Sequence, residues 1–261
     1  MKYNSAIIAM FKNESMVIKE WIEHYKWQGI GHIYLINNDS SDNFLPIIQP
    51  FINEGYITLY DLPEPYQQEK NYNIVFDEVR NDMEWIISVD IDEYWFGTKC
   101  TLDEYLLNVN PKYDNILIDW EMFGSSGYDK QPTEIRKSFI KRKDVPGLRS
   151  VIDEGAWWKV ISRSSEVGRL CLHLNRHITE KNREWDPNIP SPWTQIHNDF
   201  ENVRLFHYQV MSKEYWENVK MVRGDAWMNE LNDSRNWKIF NERDFNEVTD
   251  TTLSNLIKYG Y

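Results

Sequence analysis

Short apolar runs and helical stripes alternate along the first part of the chain. Ile7 to Phe11, His32 to Ile36, Tyr56 to Tyr60 and Trp85 to Val89 are apolar stretches bounded by polar turns, the signature of buried strands. From Met16 to Trp27 the apolar positions Val17, Ile18, Trp21, Ile22 and Tyr25 recur at helical spacing, with Lys19, Glu20, Glu23 and Lys26 between them. Gly29 and Gly31 stop that helix. Phe44 to Asn53 reads as a second helix, with Pro46 near its start and Gly55 after its end, and Gln67 to Met83 as a third. Strands alternating with helices at this interval predict an α/β fold, a mostly parallel central sheet with helices on both faces. In such sheets ligands sit beyond the carboxyl ends of the strands. Three polar segments fall there: Lys12-Asn13-Glu14, Asn38 to Asp42, and Asp90-Ile91-Asp92.

After about residue 100 the rhythm changes. Thr101 to Val109 predicts a helix capped by Thr101, Asn115 to Trp120 a strand, and Phe123-Gly124-Ser125-Ser126-Gly127 a flexible loop. Phe139 to Arg142, Trp157 to Ser162 and Arg169 to Leu174 predict shorter strands, and residues 180–199, with Pro187, Pro190 and Pro192, an extended surface loop. From Ser212, a capping residue followed by Glu214, the chain reads as a mostly helical tail. The expected organisation is a body over 1–211, with halves 1–100 and 101–211, and a tail over 212–261 packed on it.

Composition narrows the partners. A net charge of −12 disfavours nucleic acid, which would repel it. Aromatic residues make up 15% of the chain, including 12 Trp, a surplus that suits stacking on sugars or bases although core filling accounts for most of them. Two cysteines, Cys100 and Cys171, form neither a disulfide framework nor a zinc spacing, which predicts a reducing compartment. No stretch has the roughly 18 consecutive apolar residues of a membrane span, and the apolar run after Met1 is too short for a signal peptide. The expectation is a soluble, cytoplasmic protein with no transmembrane segment, for which peripheral contact with a membrane surface stays open.

The acidic pair carries the sharpest chemistry. Two carboxylates at the tip of a hydrophobic strand are costly to desolvate unless a cation neutralises them, and a divalent metal is the obvious candidate. Extended geometry puts Asp90 and Asp92 on the same side. The blander origin, a solvated acidic turn, is the commoner one for an isolated Asp-x-Asp. No Gly-x-Gly-x-x-Gly and no phosphate-loop lysine motif is present, so dinucleotide and P-loop chemistry are not favoured.

An ordered series of motifs resembles the nucleotide-sugar glycosyltransferases of the GT-A fold, closest to the family 92 and family 2-like group. It comprises Lys12-Asn13-Glu14, Glu20-Trp21-Ile22, Asn38-x-Ser40-x-Asp42, Gln68 with Tyr72-Asn73, and Trp85 with Asp90-Ile91-Asp92-Glu93. Trp120 with Phe123 to Gly127, His207-Tyr208, Ser212-Lys213 and Lys220-x-x-Arg223-Gly224 complete it. The resemblance implies a GT-A (Rossmann-like) catalytic domain over 1–211, its first half binding nucleotide and its second the acceptor. It implies an inverting, hexosyl-type transfer from a nucleotide-diphosphate sugar, a UDP-sugar, to a glycan or glycoconjugate. Asp90 and Asp92 would hold Mn2+ or Mg2+, Asp90 alternatively meeting the ribose, with His207 as a further ligand and His173 and His177 as second choices.

Phe11, Asn13 and Glu14 would border the base, Asn38 and Asp42 would bond base or ribose with Asp39 a close alternative, and Gln68, Tyr72 and Asn73 would lie near the donor sugar. Lys159, Lys213, Lys220 and Arg223 are candidates for phosphate contact, although a solvated helix face accounts for the last three almost as well. Asp153 and Glu154 are candidates for the base that takes the acceptor proton, with Glu121 as rival. Trp120 offers a stacking face, and Gly124 to Gly127 a close backbone approach to a sugar. Two other classes remain: a catalytically inactive carbohydrate-binding protein and a nucleotidyltransferase.

Overall fold

The structure is a computed structural model that describes residues 1–145, 158–180, 192–224 and 235–261. Its first half follows the predicted alternation: β1 (Tyr3–Phe11), α1 (Ile18–Trp27), β2 (His32–Asn37), α2 (Leu45–Asn53), β3 (Ile57–Asp61), α3 (Gln68–Val79) and β4 (Met83–Ser88). β1 pairs in parallel with β2 and β4, and β2 with β3. Period-two alternation along β1 sends Ile7, Ala9 and Phe11 to one face of the sheet and Ala6, Ile8 and Met10 to the other. Both faces are covered, as a parallel sheet requires. Trp21 and Ile22 of α1 and Ile48 and Phe51 of α2 fill the first, while Tyr72, Val75 and Phe76 of α3 fill the second.

The chain continues through β5 (Glu93–Gly97), α4 (Leu102–Asn108), β6 (Asn115–Asp119), β7 (Glu121–Met122), α5 (Ile135–Ser138), β8 (Lys141–Arg142) and β9 (Trp158–Arg163). β10 (Val167–Arg169), β11 (Arg176–His177), β12 (Gln195–His197) and β13 (Val203–His207) follow. The central sheet has seven strands in the order β12-β6-β9-β4-β1-β2-β3. Only β9 runs against its neighbours β4 and β6, so the sheet is mostly parallel, as expected. Thr101 caps α4 in a reciprocal arrangement with Glu104.

Several expectations for the second half are corrected. The strand expected over Arg169 to Leu174 is instead the β10–β11 pair, because side chains rather than a ladder satisfy the intervening backbone. Asn73 bonds both Leu170 N and Leu170 O, and Asn175 accepts from Cys171 N. The strand expected from Phe139 shortens to β8, since Glu20 binds the N–H groups of Ile135 and Arg136 and sets up α5. β12 forms inside the stretch expected to be loop, pairing with β6. Unanticipated β5 and β13 build a second sheet, β5-β13-β7, from runs apolar on both faces, where strand alternation leaves no signal.

The tail contains α6 (Lys213–Tyr215), a π-helical turn Trp216–Lys220, α7 (Met221–Arg223), α8 (Trp237–Arg243), β14 (Val248–Thr249) and α9 (Thr252–Tyr259). Ser212 caps it as expected, accepting from Tyr215 N at 3.0 Å. β14 is a strand in a tail expected to be helical, and it pairs with β8. Arg204 and Arg142 join Glu121 of β7 to Asp250, binding the tail to the body through buried ion pairs. No helix among the described residues is long and apolar enough to cross a membrane.

Candidate active site

A cavity of about 250 Å³ opens beyond the carboxyl ends of β1, β2 and β4, and Phe11, Lys12, Asn38, Asp90, Ile91 and Asp92 line it from those three strand ends. The other side is supplied from far along the chain by Lys159, His173, His207, Lys220 and Arg223. The acidic loop is fixed from beneath by α1. Trp21 Nε1 donates to the carbonyls of Asp90 (3.1 Å) and Glu93 (3.2 Å), and Tyr25 Oη donates to that of Glu93 (3.0 Å).

Two lysines neutralise the acidic pair. Lys159, in the antiparallel strand β9, reaches Asp90 Oδ2 at 2.9 Å, while Gln68 donates to Asp90 Oδ1 at 2.8 Å. Lys220, from the π-helical turn, reaches Asp92 Oδ2 at 2.5 Å. Burial works to raise both aspartates, and the ammonium groups override it, holding Asp90 below and Asp92 well below the ordinary carboxylate value. Lys220 is itself lowered, by burial first, with Asp92 opposing. Glu93 behaves differently. It is fully buried, and burial pushes it up to about 8 although Lys159 stands 3.5 Å away. Its Oε2 accepts from Asp90 N at 3.0 Å, which supports the turn from behind.

His207 reaches this loop through sheet register: in the β5–β13 pair it lies opposite Glu93, and the next residue, Tyr208, donates its N–H to Asp92 O at 2.8 Å. His207 Nε2 stands 3.5 Å from Asp92 Oδ1, and burial lowers its pKa. The Trp120 ring covers it at 4.4 Å between centroids. For a divalent cation the donor set fits in part. Asp92 Oδ1 and His207 Nε2 are an oxygen and an imidazole nitrogen suited to Mn2+, whose sphere substrate phosphates and water would complete. Asp90 has both oxygens committed to Lys159 and Gln68. Among the described residues no three His, Cys, Asp or Glu side chains are grouped to hold a metal alone.

The other sequence candidates separate into cavity and scaffold. Phe11, Asn38 and Gln68 line the cavity, and Asn38 is held by its Nδ2, which donates to the carbonyls of Leu62 (2.7 Å) and Glu64 (3.0 Å). Asn13 adopts φ 56°, and its Oδ1 accepts from Ser41 N at 2.7 Å, so it ties the first polar loop to the second. Asp42 does the reverse, accepting from Ser15 N at 2.7 Å. Asp39 is exposed and pairs with Lys12 at 3.5 Å. Glu14 is fully buried, accepting from Tyr215 Oη at 2.6 Å and pairing with Arg223 at 2.5 Å. Tyr72 is buried and accepts from Gln68. Asn73 bonds the Leu170 backbone, and Lys213 pairs with exposed Asp129 at 2.8 Å.

Glu121 is buried in the arginine cluster, where Arg204 takes both its oxygens. It is not among the described cavity-lining residues. Asp153 and Glu154 lie outside the described residues. Of the four cations proposed for phosphate, Lys159, Lys220 and Arg223 line the cavity and Lys213 does not. The Gly124 to Gly127 loop meets the tail: a Cβ on Gly124 would stand 2.2 Å from Phe245 O, and Ser125 and Ser126 donate their N–H groups to Asp244 and Asn246. Of the cavity residues, Lys12 was marked as part of the first strand-end polar segment, while Gln209 and Arg235 were not singled out and nothing in their local spacing marks them.

Comparison with known proteins places these features in context. The family model for glycosyltransferase family 92 matches residues 7–256. A glycosyltransferase family 92 protein of Oryza sativa subsp. japonica is 26% identical over 134 residues, 50% of this chain and 23% of the relative. One from Ricinus communis is 23% identical over 96 residues, 36% of this chain and 17% of the relative. The matched stretch is thus about a quarter or less of the length of these relatives. Among solved structures, S. aureus TarS 1-349 in complex with UDP shows 18% identity and a TM-score of 0.40, covering 62% of this chain and 47% of that one. HddC from Yersinia pseudotuberculosis shows 11% identity and a TM-score of 0.41, covering 82% and 97%.

Proposed function

This chain belongs to glycosyltransferase family 92, and from that premise we propose that it transfers a hexose-type sugar from a nucleotide-diphosphate donor, a UDP-sugar, to a glycan or glycoconjugate with inversion. One observation carries the reading: three strand-end loops and three remote cations, Lys159, Lys220 and Arg223, converge on one cavity, while the chain as a whole is acidic. A diphosphate is the ligand that such a concentration of cations complements.

The residues divide the work. Phe11 and Asn38 border the nucleoside end of the cavity, and Asn38 is oriented by two backbone carbonyls. Lys159 keeps Asp90 ionised and, with Gln68, fixes its rotamer. Asp92 and His207 would hold a divalent cation, which when bound supplies Lewis-acid neutralisation of the departing diphosphate. Trp120 lies over His207 and excludes water from that side. We assign the base that accepts the acceptor proton to Asp153 or Glu154, upstream of β9 in sequence. Glu121 is set aside, because it is buried among Arg204 and Arg142 and is not among the described residues that line the cavity.

The test is a thermal-shift screen of nucleoside diphosphate sugars with and without MnCl2, followed by UDP-release assays with Asp92→Ala. Selective binding to the folded state raises the melting point, by about 2.7 kcal/mol of stabilisation at a hundredfold excess over Kd. The expected result is a shift with one donor and loss of UDP release in the variant. No shift with any nucleotide, with or without metal, overturns the reading.

A further inference from the structure

Resting on that reading, we propose that Lys220 is an exchangeable counter-ion: it holds Asp92 in the donor-free protein and passes, with Arg223 beside it, to the diphosphate when nucleotide enters. Nucleotide and divalent cation are then coupled through one ammonium group.

Lysine is rarely buried unless it is paired, and Lys220 is only 2% exposed. A buried ion pair is weak grounds for stability, since apolar replacements are often as good. Stability alone therefore does not account for a lysine at this position. Its head group lies at the cavity wall rather than in the apolar core. Of its three N–H donors, one is used, on Asp92 Oδ2 at 2.5 Å, and no second acceptor is found among the described residues. Arg223 shows the same surplus. One terminal nitrogen pairs with Glu14 Oε1 at 2.5 Å, while its buried Nε has no hydrogen-bond partner among the described residues. Unspent donors on two adjacent cations at one cavity wall are what a diphosphate, rich in acceptor oxygens, would satisfy.

The backbone brings the two together. Lys220 closes a π-helical turn and Arg223 ends the following helical turn, three residues on and on the same face. Gly224 stops the helix at φ 72°, a left-handed conformation suited to glycine. π-Helical turns inside helices are frequently found at functional sites. Tyr215, one turn earlier, donates to Glu14, so this segment is fixed to the first strand-end loop while Lys220 and Arg223 face the ligand space.

The exchange follows from charge. With Lys220 on Oδ2, Asp92 is already neutralised, and a divalent cation approaching its Oδ1 meets the ammonium as a like charge. Nucleotide that draws Lys220 onto phosphate removes that repulsion and frees the carboxylate. By linkage, each ligand then tightens the other.

The experiment uses the full chain and two titrations, Mn2+ alone followed by electron paramagnetic resonance, and UDP in EDTA followed by calorimetry. Lys220→Met is expected to bind Mn2+ alone about tenfold more tightly than wild type and UDP in EDTA about tenfold more weakly. Arg223→Gln is expected to weaken UDP without tightening Mn2+. If Lys220→Met leaves UDP affinity unchanged, or binds Mn2+ no more tightly, the proposal is overturned while the functional reading stands. If wild type binds no UDP under any condition, both fall. Should Lys220→Met not fold, Lys220→Gln is scored by the same titrations. Failure of both to fold assigns Lys220 to the scaffold and overturns the proposal.

Discussion

Glu93→Gln is the most direct probe of the electrostatics beneath the acidic loop. Glu93 is fully buried, one oxygen accepts from Asp90 N, the other has no hydrogen-bond partner among the described residues, and Lys159 stands 3.5 Å away. Burial pushes its pKa up to about 8 from an ordinary 4.5, despite the lysine. An acid raised by folding favours its protonated form in the native state. Its stabilising contribution is therefore complete below the unfolded value and is lost as pH rises through the folded one. At about 1.4 kcal/mol per pH unit, the whole span is worth about 5 kcal/mol, of which about 3 kcal/mol falls between pH 5.5 and 7.5. Asp90 and Asp92, held below their ordinary value, act at the opposite end: their contributions are present above that value and lost on acidification, outside this window. Gln mimics the protonated carboxyl and does not titrate. The buried histidines, His207 among them, are lowered and gain stability over the same range in both proteins, so urea unfolding is read as a difference: wild type should lose stability relative to Glu93→Gln as pH rises, and the variant should overtake it at alkaline pH. Equal slopes in the two proteins, or a variant already several kcal/mol weaker at acidic pH, would refute a neutral Glu93.

Two further outcomes follow from buried pairs. Lys159→Met strands the ionised Asp90, which it holds at 2.9 Å; removing one partner of a buried pair costs about 3–5 kcal/mol, reduced here because Asp90 keeps some solvent contact, and urea unfolding at neutral pH measures it. Glu121→Gln leaves Arg204 and Arg142 short of a charge they share with Asp250; chemical denaturation should show a loss of about 2–4 kcal/mol, while UDP affinity by calorimetry stays at the wild-type value. A loss of affinity without a loss of stability would instead return Glu121 to the cavity.

Periodicity alone determined the α/β half of this protein, because β1, β2, β3 and β4 are apolar runs separated by helices whose buried stripes have the correct spacing. Brief runs buried on both sides, such as β5 and β13, have no period to read, and β11 and β12 have too few residues to show one. The acidic pair was legible as chemistry: two carboxylates at a strand tip demand a cation. Which cation meets them was not legible, because Lys159 arrives by antiparallel pairing in β9 and Lys220 from a π-helical turn 128 residues after Asp92. Asn13, Asp42 and Asn73 looked like ligand contacts, since the polar side chains that recognise ligands are the same ones that satisfy loop backbone; the tertiary structure spends them on the loops. Sequence spacing reports the local burial of each element. The partner that each buried charge finds depends on register and crossing, which only the folded chain decides.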